Sequence, residues 1–389
     1  MTPTRPPPED DAGNADRERR GRFDLCVELE RSGPTSLSVT FVTRITTADV
    51  LFLVDTTGSM GTEIANIQQS LRETLIPGIA AAIPNVHFAV ASFADFPTEP
   101  YGAALDLPFV LHQPSTDEVF WVQRAVDELP TSNGNDEPES LVEAVYQAAT
   151  GDGIPGLVPH GPLCPDDGVG YPCFRATGAR IFLVFTDAPS HNGPDGASRY
   201  RDLREEPHTY DAALAALSAI GAKVIGLNSG SPEDGAHVTR LARDTGAIDG
   251  AGAAIVRDIG FDGDSLDVDV VDAVRALVDD VPIDVELALE DVGGDEIDAT
   301  ALVGAVSLES VVPESGYAGA DGARALDVRP GTRVTFRLEL DARALGRDDA
   351  DRAYHLRVVL VADGTTPLEE RVVRIVVPGR RRTLRCEPP

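Results

Sequence analysis

The chain changes its hydrophobic rhythm twice. In the first alternating run, Phe23, Leu25, Val27 and Leu29 share one face and Asp24, Glu28 and Glu30 the other. Leu37, Val39 and Phe41 then alternate with Ser38 and Thr40. Period two predicts half-buried strands. At residues 50–54 the pattern becomes continuous, VLFLV, as expected of a strand buried on both faces of a parallel sheet. Ile64, Ile67, Leu71 and Leu75 follow at helical spacing. HFAVASF (87–93), RIFLVFT (180–186) and KVIGLN (223–228) read as further strands. Helices are predicted over 116–129, 139–149, 233–244 and 266–279, and in a segment carrying Tyr210, Leu214 and Leu217 that stops at Gly221. Strand–helix alternation from 49 to about 281 predicts an open, mostly parallel α/β sheet with helices on both faces.

After Pro282 the period returns to two. Ile283, Val285, Leu287 and Leu289 alternate with polar positions, as do Val334, Phe336, Leu338 and Leu340, and 354–362 and 371–377 are Val-rich. This predicts an all-β sandwich. Its strand count is short unless 22–48 joins it, so the expected organisation is a tail (1–21), N-terminal sandwich strands (22–48), an inserted α/β domain (49–281) and the rest of the sandwich (282–388). The Pro-rich, charged tail is expected to be disordered and has no apolar core of a secretory signal.

Composition narrows the function. Of 389 residues, 42% are hydrophobic and 25% charged, which are globular values. No run approaches the length of a membrane span. The formal charge of −31 would repel a phosphate backbone, so nucleic acid is a poor partner and a divalent cation a better one. Lys223 is the only lysine, read as coding bias in the manner of a high-GC bacterial chain. The four cysteines allow three connectivities. Cys164 and Cys173 bracket a short loop that suits a local bridge, and Cys26 and Cys386 could tie the two ends together. The alternatives are unlinked thiols, or a zinc site in which His160 or His191 joins Cys164 and Cys173, although no CxxC spacing is present. The cysteines favour an extracellular or cell-surface setting and the missing signal opposes it.

The candidate chemistry sits where buried parallel strands end, the usual place for ligands in such sheets. Asp55-Thr56-Thr57-Gly58-Ser59 follows VLFLV and puts a carboxylate and two hydroxyls at i, i+2 and i+4 of one loop. Thr186-Asp187-Ala188-Pro189-Ser190-His191 follows the second apolar strand. Between them in sequence, Asn133-Gly134-Asn135-Asp136-Glu137-Pro138-Glu139-Ser140 is an acidic turn entering a helix. Hard oxygen ligands from three loops suit Mg²⁺, Mn²⁺ or Ca²⁺.

These residues resemble von Willebrand factor type A (VWA) domains and their metal-ion-dependent adhesion site, MIDAS, of pattern D-x-[ST]-x-S. The D-E-P-E loop and Ser92-Phe93-Ala94-Asp95-Phe96-Pro97 resemble most the I-like domain of integrin β subunits. The likeness covers about 49–281. The flanking strands resemble the hybrid domain into which that I-like domain is inserted. The resemblance implies Mg²⁺ or Mn²⁺ bound by Thr57, Ser59 and Glu139, with Asp55 and Asp187 acting directly or through water. It leaves one position for a carboxylate from a protein partner. It implies a second, Ca²⁺ site at Asp95, Asp136, Glu139 and the Pro138 carbonyl, where the family's Asn position is Gly134. A third site needs two successive acids, for which this chain has Thr62 and Glu63.

Each residue has a plainer role open to it. Asp55, Thr57 and Ser59 could cap a helix, Asp136, Glu137 and Glu139 could complement a helix dipole, and Asp187 could cap its loop. Asp95 could be a surface acid and His191 a loop residue. Asp262, Asp264, Asp267 and Asp269 lack the glycine of a calcium-binding EF-hand loop and read as a solvated helix start. The expected function is a non-enzymatic, metal-dependent adhesion or protein-interaction module. The alternatives are a metal-dependent hydrolase or phosphatase, for which Thr57 stands where a second Asp is needed, and a structural VWA module with a degenerate site.

Overall fold

A computed structural model of the chain describes residues 23–29, 33–132, 134–165, 167–260, 265–293, 297–343, 345, 349–381 and 384–386. The expected disordered tail (1–21), Asn133, Asp262, Asp264 and the side chain of Asp267 lie outside the described residues. The strands run β1 (Leu25–Glu28), β2 (Thr35–Val42), β3 (Thr47–Asp55), β4 (Asn85–Phe93), β5 (Val110–Thr116), β6 (Ala179–Thr186), β7 (Ala222–Asn228), β8 (Val256–Asp258), β9 (Ile283–Asp291), β10 (Val303–Val312), β11 (Gly319–Asp321), β12 (Arg324–Val328), β13 (Arg333–Leu340), β14 (Arg352–Ala362) and β15 (Thr366–Val377). The helices are α1 (Gly61–Ser70), α2 (Ile76–Ala82), α3 (Val119–Asp127), α4 (Leu141–Thr150), α5 (Tyr210–Ala219), α6 (Ala236–Asp244) and α7 (Leu266–Asp280), with a π-helical turn at Leu71–Leu75 joining α1 to α2.

The α/β unit is a sheet of order β5-β4-β3-β6-β7-β8. All its pairings are parallel except β4 with β5. The continuous apolar strands follow from two separate cores. Val50, Phe52 and Val54 face one core with Ile181, Leu183 and Phe185, covered by Ile64 and Ile67 of α1, Val122 of α3 and Val270 and Val274 of α7. Leu51, Leu53, Phe182 and Val184 face the other, covered by Leu141 and Val145 of α4, Leu217 of α5 and Val238 of α6. Successive side chains point to opposite faces, so a strand covered on both sides has no polar position to spare. Full burial of each such side chain contributes about 1.5–3 kcal/mol.

The β-rich part contains two sheets among the described residues, of order β1-β15-β14-β9-β12-β11 and β10-β13-β2. Strands from the two ends of the chain pair directly. β1 runs parallel to β15, with Leu25 opposite Val373, and β2 runs antiparallel to β13, with Phe41 opposite Val334. Val39, Phe41, Phe336, Leu338, Tyr354, Leu356, Val373 and Ile375 form one core between the sheets, the inward-facing half of the alternation. The predicted helix over 116–129 begins only at Val119, because Thr116 closes edge strand β5.

Two disulfides join Cys26 to Cys386 and Cys164 to Cys173, with Cα separations of 5.4 and 5.1 Å. All four cysteines are paired, which removes the zinc reading of Cys164 and Cys173 and points to an oxidising or extracellular environment. Among the described residues no helix is long and apolar enough to cross a membrane. The α/β and β-rich parts touch where Lys223 Nζ meets Asp363 at 2.7 Å and the Gly178 amide donates to the Pro367 carbonyl at 3.0 Å. Gly221 ends the turn after α5 at φ +62°, and a Cβ there would collide with the hydroxyls of Thr365 and Thr366.

Candidate metal centre

The strand order makes a crevice before any side chain is considered. In chain order within the α/β unit it is 3-2-1-4-5-6, so the connections leave β3 and β6 in opposite directions, and loops at their carboxyl ends part to form a ligand crevice. Asp55 ends β3 and Thr186 ends β6. A shallow cleft of about 620 Å³ opens there, lined by Thr57, Gly58, Ser59, Gly134, Asn135, Asp136, Glu137, Glu139, Asp187, Ala188, Gly230, Ser231 and Asp234. Four of the five residues proposed from sequence for the first ion, Thr57, Ser59, Glu139 and Asp187, share this lining.

The fifth, Asp55, is completely buried. Its Oδ1 accepts from the Thr57 amide at 3.0 Å and the Thr57 hydroxyl at 2.7 Å, and its Oδ2 accepts from the Thr186 hydroxyl at 2.9 Å. Burial pushes this carboxyl up to about 7, against the opposing hydrogen bonds from Thr57, and Asp187 adds to the rise. Asp55 does not cap a helix: the short 3₁₀ turn Gly58–Met60 and α1 both begin without a side-chain cap.

Glu139 is 5% exposed. Its amide donates to the Pro189 carbonyl at 2.9 Å, and its carbonyl accepts from the His191 amide at 2.7 Å, so the acidic loop is stitched to the loop after β6. Gly134, at φ +59°, lets the acidic loop fold close over the carboxylate: a Cβ there would lie 3.3 Å from Glu139 Oε1 and 3.6 Å from Thr57 Cγ2. Burial pushes Glu139 up to about 11, with the charges of Asp55, Asp95, Asp136 and Asp106 adding to it. Glu139 Oε2 and Asp187 Oδ1 are buried without a hydrogen-bond partner. Such atoms are costly to leave unsatisfied. Together with the hydroxyls of Thr57 and Ser59, they make an oxygen-rich donor set that fits a hard dication.

Asp95 follows β4. It is fully buried rather than a surface acid, and burial pushes it up to about 8. Asp95 and Asp136, two of the four residues that the resemblance implies for a second site, converge on His191. His191 Nε2 lies 3.2 Å from Asp136 Oδ2 and 3.6 Å from Asp95 Oδ2. Ligand atoms of the three residues lie within 4.8 Å of one another, a group that could hold a metal ion. His191 is a loop residue, as expected, but a buried one: it is 4% exposed and faces two acids. Pro138 is half-buried between Asp136 and Glu139. Glu63, named for a third site, is buried in the first turn of α1 and does not line the cleft.

No family model matches the chain, and no curated protein matches it. Among solved structures, proximal thread matrix protein 1 from the mussel byssus is similar at 13% identity and a TM-score of 0.34, over 61% of this chain and 47% of that one. The pilus adhesin SpaC of Lactobacillus rhamnosus GG, in an open conformation, is similar at 10% identity and a TM-score of 0.35, over 89% of this chain and 46% of that one. The chain thus spans just under half the length of each. The likeness is slight in both cases.

Sequence reasoning missed the cleft wall formed by Gly230, Ser231 and Asp234, and the tyrosines around His191. The first had a readable signal: Asn228-Ser229-Gly230-Ser231 follows the third apolar strand at the same sheet edge.

Proposed function

We propose that the chain is a non-enzymatic, divalent-metal-dependent protein-interaction module whose α/β unit is of VWA type, with a MIDAS-like site at Asp55, Thr57, Ser59, Glu139 and Asp187. One observation carries this reading: Glu139 Oε2 and Asp187 Oδ1 are buried without donors beside the Thr57 and Ser59 hydroxyls. Buried oxygens without donors are costly to leave so, and a dication in the cleft would satisfy both. The Thr57 hydroxyl donates its hydrogen bond to Asp55, which leaves the hydroxyl's lone pairs free for the cleft. Thr186 and the Thr57 amide fix Asp55 in turn. A bound Mg²⁺ or Mn²⁺ would supply positive charge in the cleft and accept a carboxylate from a partner protein. The partner is therefore a protein presenting an acidic residue, met outside the cell or at its surface, where the two disulfides persist.

We also propose that the α/β unit, 49–281, is inserted in a β-sandwich of 22–48 and 282–388. The direct pairing of β1 with β15 and of β2 with β13 supports this.

The test is calorimetric titration of Mg²⁺ and Mn²⁺ into metal-stripped wild type, Asp55→Ala and Glu139→Ala, with circular dichroism to verify folding. Both variants should fold and lose the heat of binding. Unchanged ion affinity in both would defeat the reading. Capture of a partner should fail in excess EDTA, and capture that survives chelation would exclude cation bridging.

A further inference from the structure

Behind the cleft, Asp95, Asp136 and His191 are brought together from three different loops, and their chemistry differs from that of the oxygen-only donor set in front of them. The His191 ring is fixed. Its Nδ1 lies 2.6 Å from the Ser198 carbonyl, which can only accept, so Nδ1 carries a proton and Nε2 faces the two carboxylates. The ring packs edge-on to Tyr101 at 5.0 Å between centroids and against Tyr200 at 4.2 Å. The Tyr200 hydroxyl donates to Asp95 Oδ1, leaving Asp95 Oδ2 as the oxygen directed at the histidine. Asp136 is anchored through its backbone, which donates to the Tyr101 carbonyl at 3.3 Å.

The three converging atoms do not hydrogen-bond to one another. His191 Nε2 and Asp95 Oδ2, 3.6 Å apart, are both buried without a hydrogen-bond partner, and so is Asp136 Oδ1, while the other oxygen of that carboxylate, Oδ2, stands 3.2 Å from Nε2. That spacing suits ligands arranged around an ion. Tetrahedral bonds of about 2.1 Å put neighbouring ligand atoms about 3.4 Å apart. Each of the two flanking hydrogen bonds, from Tyr200 to Asp95 and from His191 Nδ1 to Ser198, is of the kind that orients a metal ligand from behind.

We propose that Asp95, Asp136 and His191 form a separate site for a transition dication of the zinc class, rather than for Ca²⁺ or Mg²⁺. Imidazole nitrogen is a poor ligand for the hard alkaline-earth ions and a good one for Zn²⁺ and its neighbours. Three protein ligands leave a further position open, and Asp136, which also lines the cleft, gives the ion its way in. The site ties together the loops after β4 and β6 and the acidic loop that carries Glu139. It is argued from its own three ligands and stands or falls independently of the ion proposed beside Asp55.

The experiment titrates zinc chloride into the metal-stripped full chain in the presence of excess Mg²⁺ and Ca²⁺, which occupy any hard-ion sites first. Wild type should retain a one-to-one zinc event. His191→Ala and His191→Asn should weaken it by about a hundredfold or more and Tyr200→Phe by about tenfold. Ser59→Ala should leave it unchanged while weakening Mg²⁺ binding measured alone, which keeps the two sites distinguishable. Cobalt(II) in place of zinc should give a visible d–d spectrum that His191→Asn abolishes. No zinc event in wild type, displacement of zinc by Ca²⁺, or unchanged zinc affinity in His191→Asn would each overturn the proposal. Should the His191 variants fail to fold, a wild-type crystal soaked in zinc decides. An anomalous peak at the zinc edge between the three side chains supports the site, and its absence removes it.

Discussion

Strand β3 carries an aspartate near each end, and both are buried. Asp49, near the amino end, is met by a guanidinium: Arg175 Nε lies 3.2 Å from its Oδ1, the Arg175 amide donates to its Oδ2 at 2.8 Å, and the Ser115 hydroxyl donates to Oδ1. Asp55, six residues on, is met by two threonines and no cation. The β-rich part follows the Asp49 pattern, pairing Arg324 with Asp284 at 2.8 Å, Arg337 with Glu309 at 2.6 Å and Arg357 with Glu290 at 3.0 Å. Among the described residues no lysine or arginine pairs with Asp55, Asp95, Asp136, Glu139 or Asp187. The chain supplies counter-charges where an acid is structural and withholds them at the carboxyl edge of the α/β sheet. A buried carboxyl without a counter-charge there is either held protonated or, once ionised, balanced by a cation from outside.

The largest effect should come from breaking the compensated end. Asp49→Ala strips the partner from Arg175 and should cost about 3 kcal/mol in urea unfolding, with or without Mg²⁺. Asp55→Asn keeps an acceptor oxygen for Thr57, turns an NH2 toward the Thr186 hydroxyl, which can accept from it, and removes the charge. It should shift metal-free stability by less than about 1 kcal/mol. Equal losses in the two variants would erase the contrast between the ends.

The next effect is the stabilisation that an added ion confers. At a Mg²⁺ concentration about a hundred times its dissociation constant, the wild type should gain about 2.7 kcal/mol. Asp55→Asn and Glu139→Gln should gain almost none. Glu139→Gln resembles the protonated acid that burial favours, so its metal-free melting should match the wild type. A full Mg²⁺ shift in Glu139→Gln would show that this carboxylate is no ligand.

The acids at this edge also set a pH dependence of definite sign. Asp55 rises from 3.8 to about 7, Asp95 from 3.8 to about 8, and Glu139 from 4.5 to about 11. A carboxyl raised in the folded state favours folding most below its unfolded value, and that advantage is lost as pH climbs through the folded value. The melting temperature of chelated protein should therefore fall as pH rises above about 4, through about 7 and 8 for Asp55 and Asp95 and on toward about 11 for Glu139, by about 2–4 °C for each kcal/mol lost. Added Mg²⁺ should flatten the curve, because a dication favours the ionised carboxylates. Melting of the chelated protein that rises with pH, or stays level, would contradict the burial of these groups.

The two ends of β3 also mark how far sequence alone can see. The strand itself was legible, since Val50 to Val54 have no polar position, and so was the loop that follows, because D-x-T-x-S is a local pattern. β10 was not: its half-exposed surface and two register shifts break the alternation that would announce a strand. β5 was hidden because it is a partly exposed edge strand interrupted by Pro114. At the site, Asp55, Thr57, Ser59, Glu139 and Asp187 each follow a recognisable turn. His191 does not. Its place beside two buried acids comes from the approach of loops that carry Asp95 and Asp136, 96 and 55 residues away, and nothing beside it in the sequence records that meeting. Burial was equally invisible for Asp95, which looks like any other acid in a loop.

The smallest effect compares the hydroxyls that serve the two aspartates. Thr186→Val removes the donor to Asp55 Oδ2 in a side chain of nearly the same shape, and Ser115→Ala removes a donor to Asp49 Oδ1. Each should cost about 1 kcal/mol in unfolding of the metal-free protein. They should part company when Mg²⁺ is titrated. Thr186→Val loosens a carboxylate that orients Thr57, and outer-shell losses of this kind weaken metal binding by about tenfold. Ser115 stands at the opposite end of the strand, where Arg175 already holds Asp49, so its loss should leave ion affinity unchanged. If Thr186→Val and Ser115→Ala lowered stability alike and neither altered Mg²⁺ affinity, Asp55 would be a buried structural acid like Asp49, and the missing arginine at its end of the strand would need another cause.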